Sequence, residues 1–310
     1  MSVGLVLEGG GMRGVFTAGV LSVLERAELK FKTITGVSAG ALTAIGFLSG
    51  QPRRSYSIFV DYAADPRYMG VSCMRESGTF FNLDFILKEL SYDLLPLDFD
   101  AIFANETELL IGVTDCVTGK AHAFAKSELD EAGLLEALRA SASLPLISPI
   151  VTIGEGEYLD GGIADPIPIE RSIAAGNDLN VVVLTRPDSY VCKPEVNANI
   201  LRQAYKKYPE FVETLSTRHE NYARQQQLVR DLEQEGKAVV IRPDSSIKVG
   251  RYERRPERLA AFYDAALYSA FDKLDDIQKM IQSEEIVSDE KLPWWRTVID
   301  RLLSGINLGK

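Results

Sequence analysis

The sequence predicts an α/β fold: a central, mostly parallel sheet covered by helices on both faces, with a helical C-terminal extension. Two observations carry this prediction. Up to about residue 190, short apolar β-like runs alternate with helical patterns and glycine-bearing turns. From about 195 to 235 the chain is polar, with Ile200, Leu201, Ala204, Tyr205, Phe211 and Leu215 at helical spacing. The 310 residues, 46% of them hydrophobic, are enough for a sizeable core.

The elements follow in order. Val3 to Leu7 is continuously apolar around Gly4 and reads as a buried first strand, and Phe31 to Thr35 reads as the second. Between Ala39 and Leu48 the residues are apolar nearly all round, which predicts a buried central helix. Leu109 to Val113 leads through Thr118-Gly119-Lys120 to Ala121 to Phe124, a hairpin that adds antiparallel pairing to the sheet. Asn180 to Leu184 and Ala238 to Ile241 are further strands, and a helix spans about 256 to 282. The chain thus divides into an α/β core at 1–190, an extension packed on it at 191–282, and a linker with a terminal amphipathic helix at 283–310.

Composition narrows the function. A net charge of -10 argues against a nucleic-acid partner, because phosphate neutralisation needs a dominant basic surface. Cys73, Cys116 and Cys192 are odd in number and lack metal-type spacing, which points to a reducing compartment. The N-terminus reads as a strand rather than a leader, and no apolar run reaches the roughly 18 residues of a spanning helix. A cytoplasmic protein is expected.

Three glycine-bearing motifs carry the chemistry. Gly9-Gly10-Gly11-Met12-Arg13-Gly14 follows the first strand; its glycines let backbone amides converge on an anion at a helix N-terminus, forming an oxyanion hole. Arg13 would support that turn or a substrate headgroup, or form an ordinary ion pair. The same run matches a dinucleotide fingerprint, but the second strand does not end in the acidic residue that ribose recognition needs. It runs instead into Gly36-Val37-Ser38-Ala39-Gly40, where a serine between spaced glycines fits a sharp strand-to-helix turn exposing a nucleophile. A plain helix N-cap is the alternative for Ser38. Asp160-Gly161-Gly162 supplies a carboxylate on a flexible turn, and there the alternative is a common Asp-Gly turn. The histidines, His122 in a hairpin strand and His219 in a polar helix, fit a base less well than Asp160. An aspartate base requires a dry site that raises its pKa and a strong oxyanion hole.

These motifs, in this order, resemble the patatin-like phospholipase family, and Ala140-Ser141-Ala142-Ser143-Leu144-Pro145 resembles a further block of it. The resemblance covers roughly residues 3 to 190; Tyr208-Pro209-Glu210 and Arg242-Pro243-Asp244 resemble a bacterial subgroup. It implies a three-layer α/β/α fold, a Ser38–Asp160 dyad, and an oxyanion hole from Gly9, Gly10, Gly11, Arg13 and Gly14. Gly36, Gly40, Gly161 and Gly162 support the turns. It further implies hydrolysis of acyl esters, commonly glycerolipids, without metal or organic cofactor. Glu8 stands where aspartate is often seen in the family, and Asp165 where asparagine is common. Ser141 and Ser143 are rival nucleophiles without a flanking glycine turn.

Two regions bear on the substrate. Tyr62 to Phe85, with Tyr68-Met69 and Phe80-Phe81, suits either a lid or acyl pocket or plain surface packing. After Pro293, Trp295, Val298, Ile299, Leu302, Leu303 and Ile306 recur at helical spacing beside Arg296 and Arg301. That pattern fits transient contact with a membrane surface, peripheral to the inner membrane, or a helix docked on the core. A scaffold that binds lipid without chemistry and a nucleotide-binding protein are the competing functions.

Overall fold

The computed structural model describes residues 2–194 and 198–290. The tail after Pro293, with its expected membrane-surface helix, lies outside the described residues. One sheet of eight strands runs through the molecule. The strands are β1 (Val3–Leu7), β2 (Thr33–Val37), β3 (Glu108–Asp115), β4 (Ala121–Ala125), β5 (Val151–Ile153), β6 (Gly156–Asp160), β7 (Leu179–Val183) and β8 (Ala238–Ile241). Their order is β5-β6-β3-β2-β1-β7-β8, with β4 paired to β3. The pairs among β3, β2, β1, β7 and β8 are parallel, whereas β4, β5 and β6 pair antiparallel.

Alternation along the central strands sends side chains into two cores. Val3, Leu5, Leu7, Ile34, Val181 and Val183 join α1 (Gly14–Arg26), α2 (Ala39–Leu48) and α10 (Pro256–Glu290) on one face. Val6, Val182 and Val240 join α7 (Ile169–Ala174) and α9 (Pro209–Gln234) on the other. Buried on both faces, the strands read as near-continuous apolar runs, and the fold is the expected three-layer α/β/α arrangement. The 198–290 extension contributes to both layers.

Several boundaries differ from the sequence expectation. The second strand begins at Thr33 and continues through Gly36 to Val37, because parallel pairing with both neighbours outweighs the low strand preference of glycine. The hairpin of β5 and β6 went unpredicted: three residues around Gly154 and Gly156 leave too short a period to read. The linker expected from 283 is helical through Glu290, since neither glycine nor proline interrupts the chain there.

Candidate active site

Strand register places the site. On β3, Val37 of β2 pairs with Gly112, and Asp160 of β6 pairs with Val113. Since β4 holds the other edge of β3 over these positions, β6 takes over the edge that β2 vacates. Ser38, one residue past Val37, therefore meets Asp160, the last residue of β6. Close packing enforces the junction: a Cβ on Gly161 would overlap the Gly112 carbonyl.

Ser38 sits at φ 53° and ψ -126°, a left-handed backbone that costs a non-glycine residue energy. Helix α2 starts at the next residue, and a Cβ on Gly40 would lie 2.6 Å from the Leu7 carbonyl oxygen. The turn is a strained strand-to-helix elbow, and the Ser38 side chain makes no capping bond to the helix. Ser141, considered above as a rival nucleophile, is fully buried and braces it. Its hydroxyl accepts from Ser38 N–H at 2.8 Å and donates to the Gly112 carbonyl at 2.6 Å. Ser143 lies beside it: its hydroxyl donates to the Arg139 carbonyl, and its own carbonyl accepts from Asp160 N–H at 2.8 Å.

Asp160 is 4% exposed, so the flexible turn expected from Asp-Gly-Gly is instead a buried strand end. Gly162 N–H donates to Oδ1 at 2.8 Å, while Oδ2 is buried with no partner in ordinary hydrogen-bond geometry. Burial pushes the carboxyl pKa up. Hydrogen bonding from the nearby Ser38 hydroxyl, the Gly162 amide, and the charges of Arg251 and Arg218 pull it partly back.

The glycine-rich turn runs beside Ser38. Met12 N–H donates to the Arg251 carbonyl at 3.0 Å and Arg13 N–H to the Gly10 carbonyl at 3.3 Å. The amides of Gly10 and Gly11 have no backbone partner among the described residues. Gly14 opens α1 and Gly9 packs against Ser38. Glu8 anchors the turn: its carboxylate accepts from Thr185 N–H and hydroxyl, and from the Tyr222 hydroxyl at 2.8 Å. Arg13 forms no ion pair among the described residues. Asp165 is likewise buried, accepting from Gln225 at 2.6 Å, which docks α9 beside the Asp160 turn.

Two cavities meet at Ser38. The first is walled by Leu42 and Ile45 of α2, Ile58 and Phe59 of α3 (Pro52–Val60), and Tyr68, Phe81, Leu83 and Leu87. Within the Tyr62 to Phe85 stretch, Val71 and other residues of its helix face outward, whereas Tyr68, Phe81 and Leu83 are buried in this wall. A π-helical segment, Phe85–Leu94, completes it, closed by Leu95 N–H to the Leu90 carbonyl. The second cavity is polar and lies on the Asp160 side. Neither contains a histidine. His122 stacks on Tyr158 with ring centroids 5.6 Å apart, and His219 meets the Ser216 carbonyl within α9. Among the described residues no His/Cys/Asp/Glu group could hold a metal ion, and no disulfide joins the cysteines.

Residues 5–173 match the model of the family described as patatin-like phospholipase. The chain belongs to that family. A second model, a domain of unknown function (DUF6363), matches residues 208–282. Among curated proteins, the uncharacterized protein YjjU of Escherichia coli K12 is 29% identical over 198 residues, 62% of this chain and 54% of its own length. The probable lipid hydrolase 463L of Invertebrate iridescent virus 6 is 28% identical over 195 residues, 57% of this chain and 65% of that protein. The aligned parts thus span less than two thirds of either relative. A crystal structure of VipD from Legionella pneumophila superposes with a TM-score of 0.47 at 16% identity, covering 88% of this chain and 67% of that one.

Sequence reasoning named Ser141 only as a rival nucleophile, not as a brace, and missed Tyr222 and Arg251. Ser141 carried a signal, being small and polar in an otherwise apolar run, but its target is a backbone amide 103 residues away. Tyr222 and Arg251 lie in polar stretches where nothing distinguishes them from solvated residues.

Proposed function

We propose that the protein is a serine acyl-ester hydrolase acting on lipid or other carboxylic esters, similar to a phospholipase A or lysophospholipase. Ser38 is the nucleophile and Asp160 the general base. Oδ2 of Asp160 takes the hydroxyl proton as Oγ attacks the ester carbonyl, and the Gly10 and Gly11 amides receive the developing oxyanion. Collapse of the tetrahedral species breaks the ester C–O bond, and Asp160 returns its proton to the departing alcohol. Water, deprotonated by Asp160, then hydrolyses the acyl-enzyme and restores Ser38. The acyl chain occupies the apolar cavity.

The observation that supports this reading best is the juxtaposition at one point of three features: a strained serine elbow, an unpartnered buried carboxylate oxygen, and the mouth of an apolar cavity. Family membership and the name of the viral relative, a probable lipid hydrolase, favour a lipid ester. Among the described residues no helix is long and apolar enough to cross a membrane, and we propose a cytoplasmic protein that meets its substrate at a membrane surface.

Labelling with a fluorophosphonate probe and peptide mass spectrometry tests the assignment. The expected result is a single adduct on Ser38, absent from Ser38→Ala and much reduced in Asp160→Asn. No adduct on folded protein, with or without detergent, would reject the hydrolase and favour a non-catalytic lipid-binding protein on this fold.

A further inference from the structure

Across Ser38 from the acyl cavity lies the polar one, and its most prominent feature is four arginines: Arg13, Arg186, Arg218 and Arg251. Several arginines elsewhere find carboxylates, as in Arg67 with Asp65, Arg139 with Asp84, Arg224 with Glu170 and Arg242 with Asp188, while buried Arg54 is satisfied by the Leu95 carbonyl and the Ser91 hydroxyl. Among the described residues these four have no ion pair. The carboxylates facing the cavity are Glu8 and Asp160. Both Glu8 oxygens are engaged by Thr185 and Tyr222, and Asp160 Oδ1 is held by Gly162.

Arg13 is 5% exposed and its Nε, buried, has no hydrogen-bond partner. Burial, then the like charges of Arg186 and Arg251, bring its pKa down to about 9, against a partial opposing pull from Glu8. It is therefore a cation at neutral pH held at a cost that a bound anion would relieve. The other guanidiniums are pre-positioned. Arg186 lies over the Tyr190 ring at 4.0 Å, and Arg218 donates to the Gly162 carbonyl at 2.6 Å. Arg251 accepts the Met12 amide through its backbone, and its side chain packs against Gly11.

We propose that these arginines form a subsite for the phosphate of an anionic headgroup on the ester cleaved at Ser38. Segment 208–282, which matches a domain of unknown function, supplies Arg218 and Arg251, half of the subsite. This deepens the hydrolase reading and rests on it. Guanidinium forks match phosphate oxygens bidentately, and a cluster of three or more favours a dianion over a single carboxylate. Ser38, Gly11 and Leu144 border both cavities, so an ester at Ser38 would send its acyl chain one way and its glycerol phosphate the other. In a chain of net charge -10, this concave positive spot also draws anions to the serine.

Three substrates with one acyl chain provide the test: lysophosphatidic acid, lysophosphatidylcholine and monoacylglycerol. The expected kcat/KM order is phosphate monoester first, with about a 10- to 100-fold advantage over monoacylglycerol, the range of one or two charge-assisted hydrogen bonds. Arg186→Gln and Arg251→Gln should each remove most of that ratio by raising KM, with Arg251→Lys restoring part of it. Wild type cleaving monoacylglycerol as well as lysophosphatidic acid would overturn the proposal, as would an unchanged ratio in both variants.

Calorimetric titration of folded Ser38→Ala with sn-glycerol 3-phosphate tests the subsite without turnover. Binding weakened by Arg186→Gln is expected, and no binding rejects the subsite. Inorganic phosphate binding as tightly, with no substrate preference, would mean a free-phosphate site and also reject it. If no ester is cleaved and Ser38 takes no probe, the hydrolase reading fails, and this titration still decides the anion site.

Discussion

Ser38 holds a backbone conformation that its side chain disfavours, and Ser141 is the residue best placed to keep it there. Replacing Ser141 with alanine leaves the buried Ser38 amide and the Gly112 carbonyl without their partner, at about 1–3 kcal/mol for each orphaned group. We expect Ser141→Ala to lower kcat on a simple ester about 10- to 100-fold with a smaller change in KM, together with a lower Tm. Unchanged kcat in steady-state assays would remove Ser141 from the machinery. Asp160 yields a second prediction. As a base it must be ionised, and burial raises its pKa, so kcat/KM should decline on acidification with a midpoint above the usual carboxylate range. Linkage fixes the sign for stability. A folded-state pKa above the unfolded value contributes stability that is full below the unfolded pKa and is lost as pH rises through the folded one. At neutral pH the ionised carboxylate is therefore buried at a cost. Asp160→Asn should abolish turnover yet raise Tm at neutral pH, with the gain shrinking as pH falls, and thermal melts across pH would expose the opposite trend. The two residues also differ in how readable they were. Ser38 and Asp160 stand in glycine turns whose chemistry is local, whereas the work of Ser141 depends on a register between β2, β3 and β6 that no local pattern states.

At the scale of elements, helix α2 links the elbow to the apolar cavity. Its composition, Ala39-Gly40-Ala41-Leu42-Thr43-Ala44, was readable as a buried helix because every face is small or apolar. That Leu42 and Ile45 would wall a cavity was not readable, because the opposite wall comes from the π-helical segment and from Tyr68, Phe81 and Leu83, all brought in by tertiary packing. Leu42 sits one turn beyond Ser38 and is half-buried, so bulk added there fills the cavity near its mouth. Leu42→Trp should preserve cleavage of short acyl esters within a few-fold while lowering kcat/KM for a long chain at least about 10-fold, with overpacking costing roughly 1–3 kcal/mol of stability. A chain-length series on p-nitrophenyl esters would detect this. Parallel losses at all lengths would show that the acyl chain lies elsewhere.

For the whole molecule, the compositional break near residue 190 differs from the pattern of packing. The polarity of 195–235 is that of helices solvated on one face, and from sequence it reads as an extension packed on the 1–190 core. In the structure Phe262, Ala266, Ala270 and Ile277 of α10 belong to the same apolar cluster as Val15, Phe16 and Leu24 of α1. Phe16 and Phe262 rings lie 5.2 Å apart, and a Cβ on Gly19 would meet the Tyr263 carbonyl oxygen at 2.7 Å, so the two helices cross at near-backbone contact. On the opposite face, Tyr222 and Val229 of α9 cover Val6 and Val182. β8 pairs with β7, and without it β7 would present an unpaired edge. A fragment of residues 1–194 would thus expose apolar surface on both faces of the sheet while also losing the Tyr222 bond to Glu8 and the Arg251 carbonyl that fixes the Met12 amide. We expect that fragment to aggregate, or to bind a hydrophobic dye and lack near-ultraviolet circular dichroism, with no fluorophosphonate adduct on Ser38. A fragment that melts cooperatively and labels at Ser38 would instead make 1–190 an independent catalytic domain and confine the later helices to headgroup recognition.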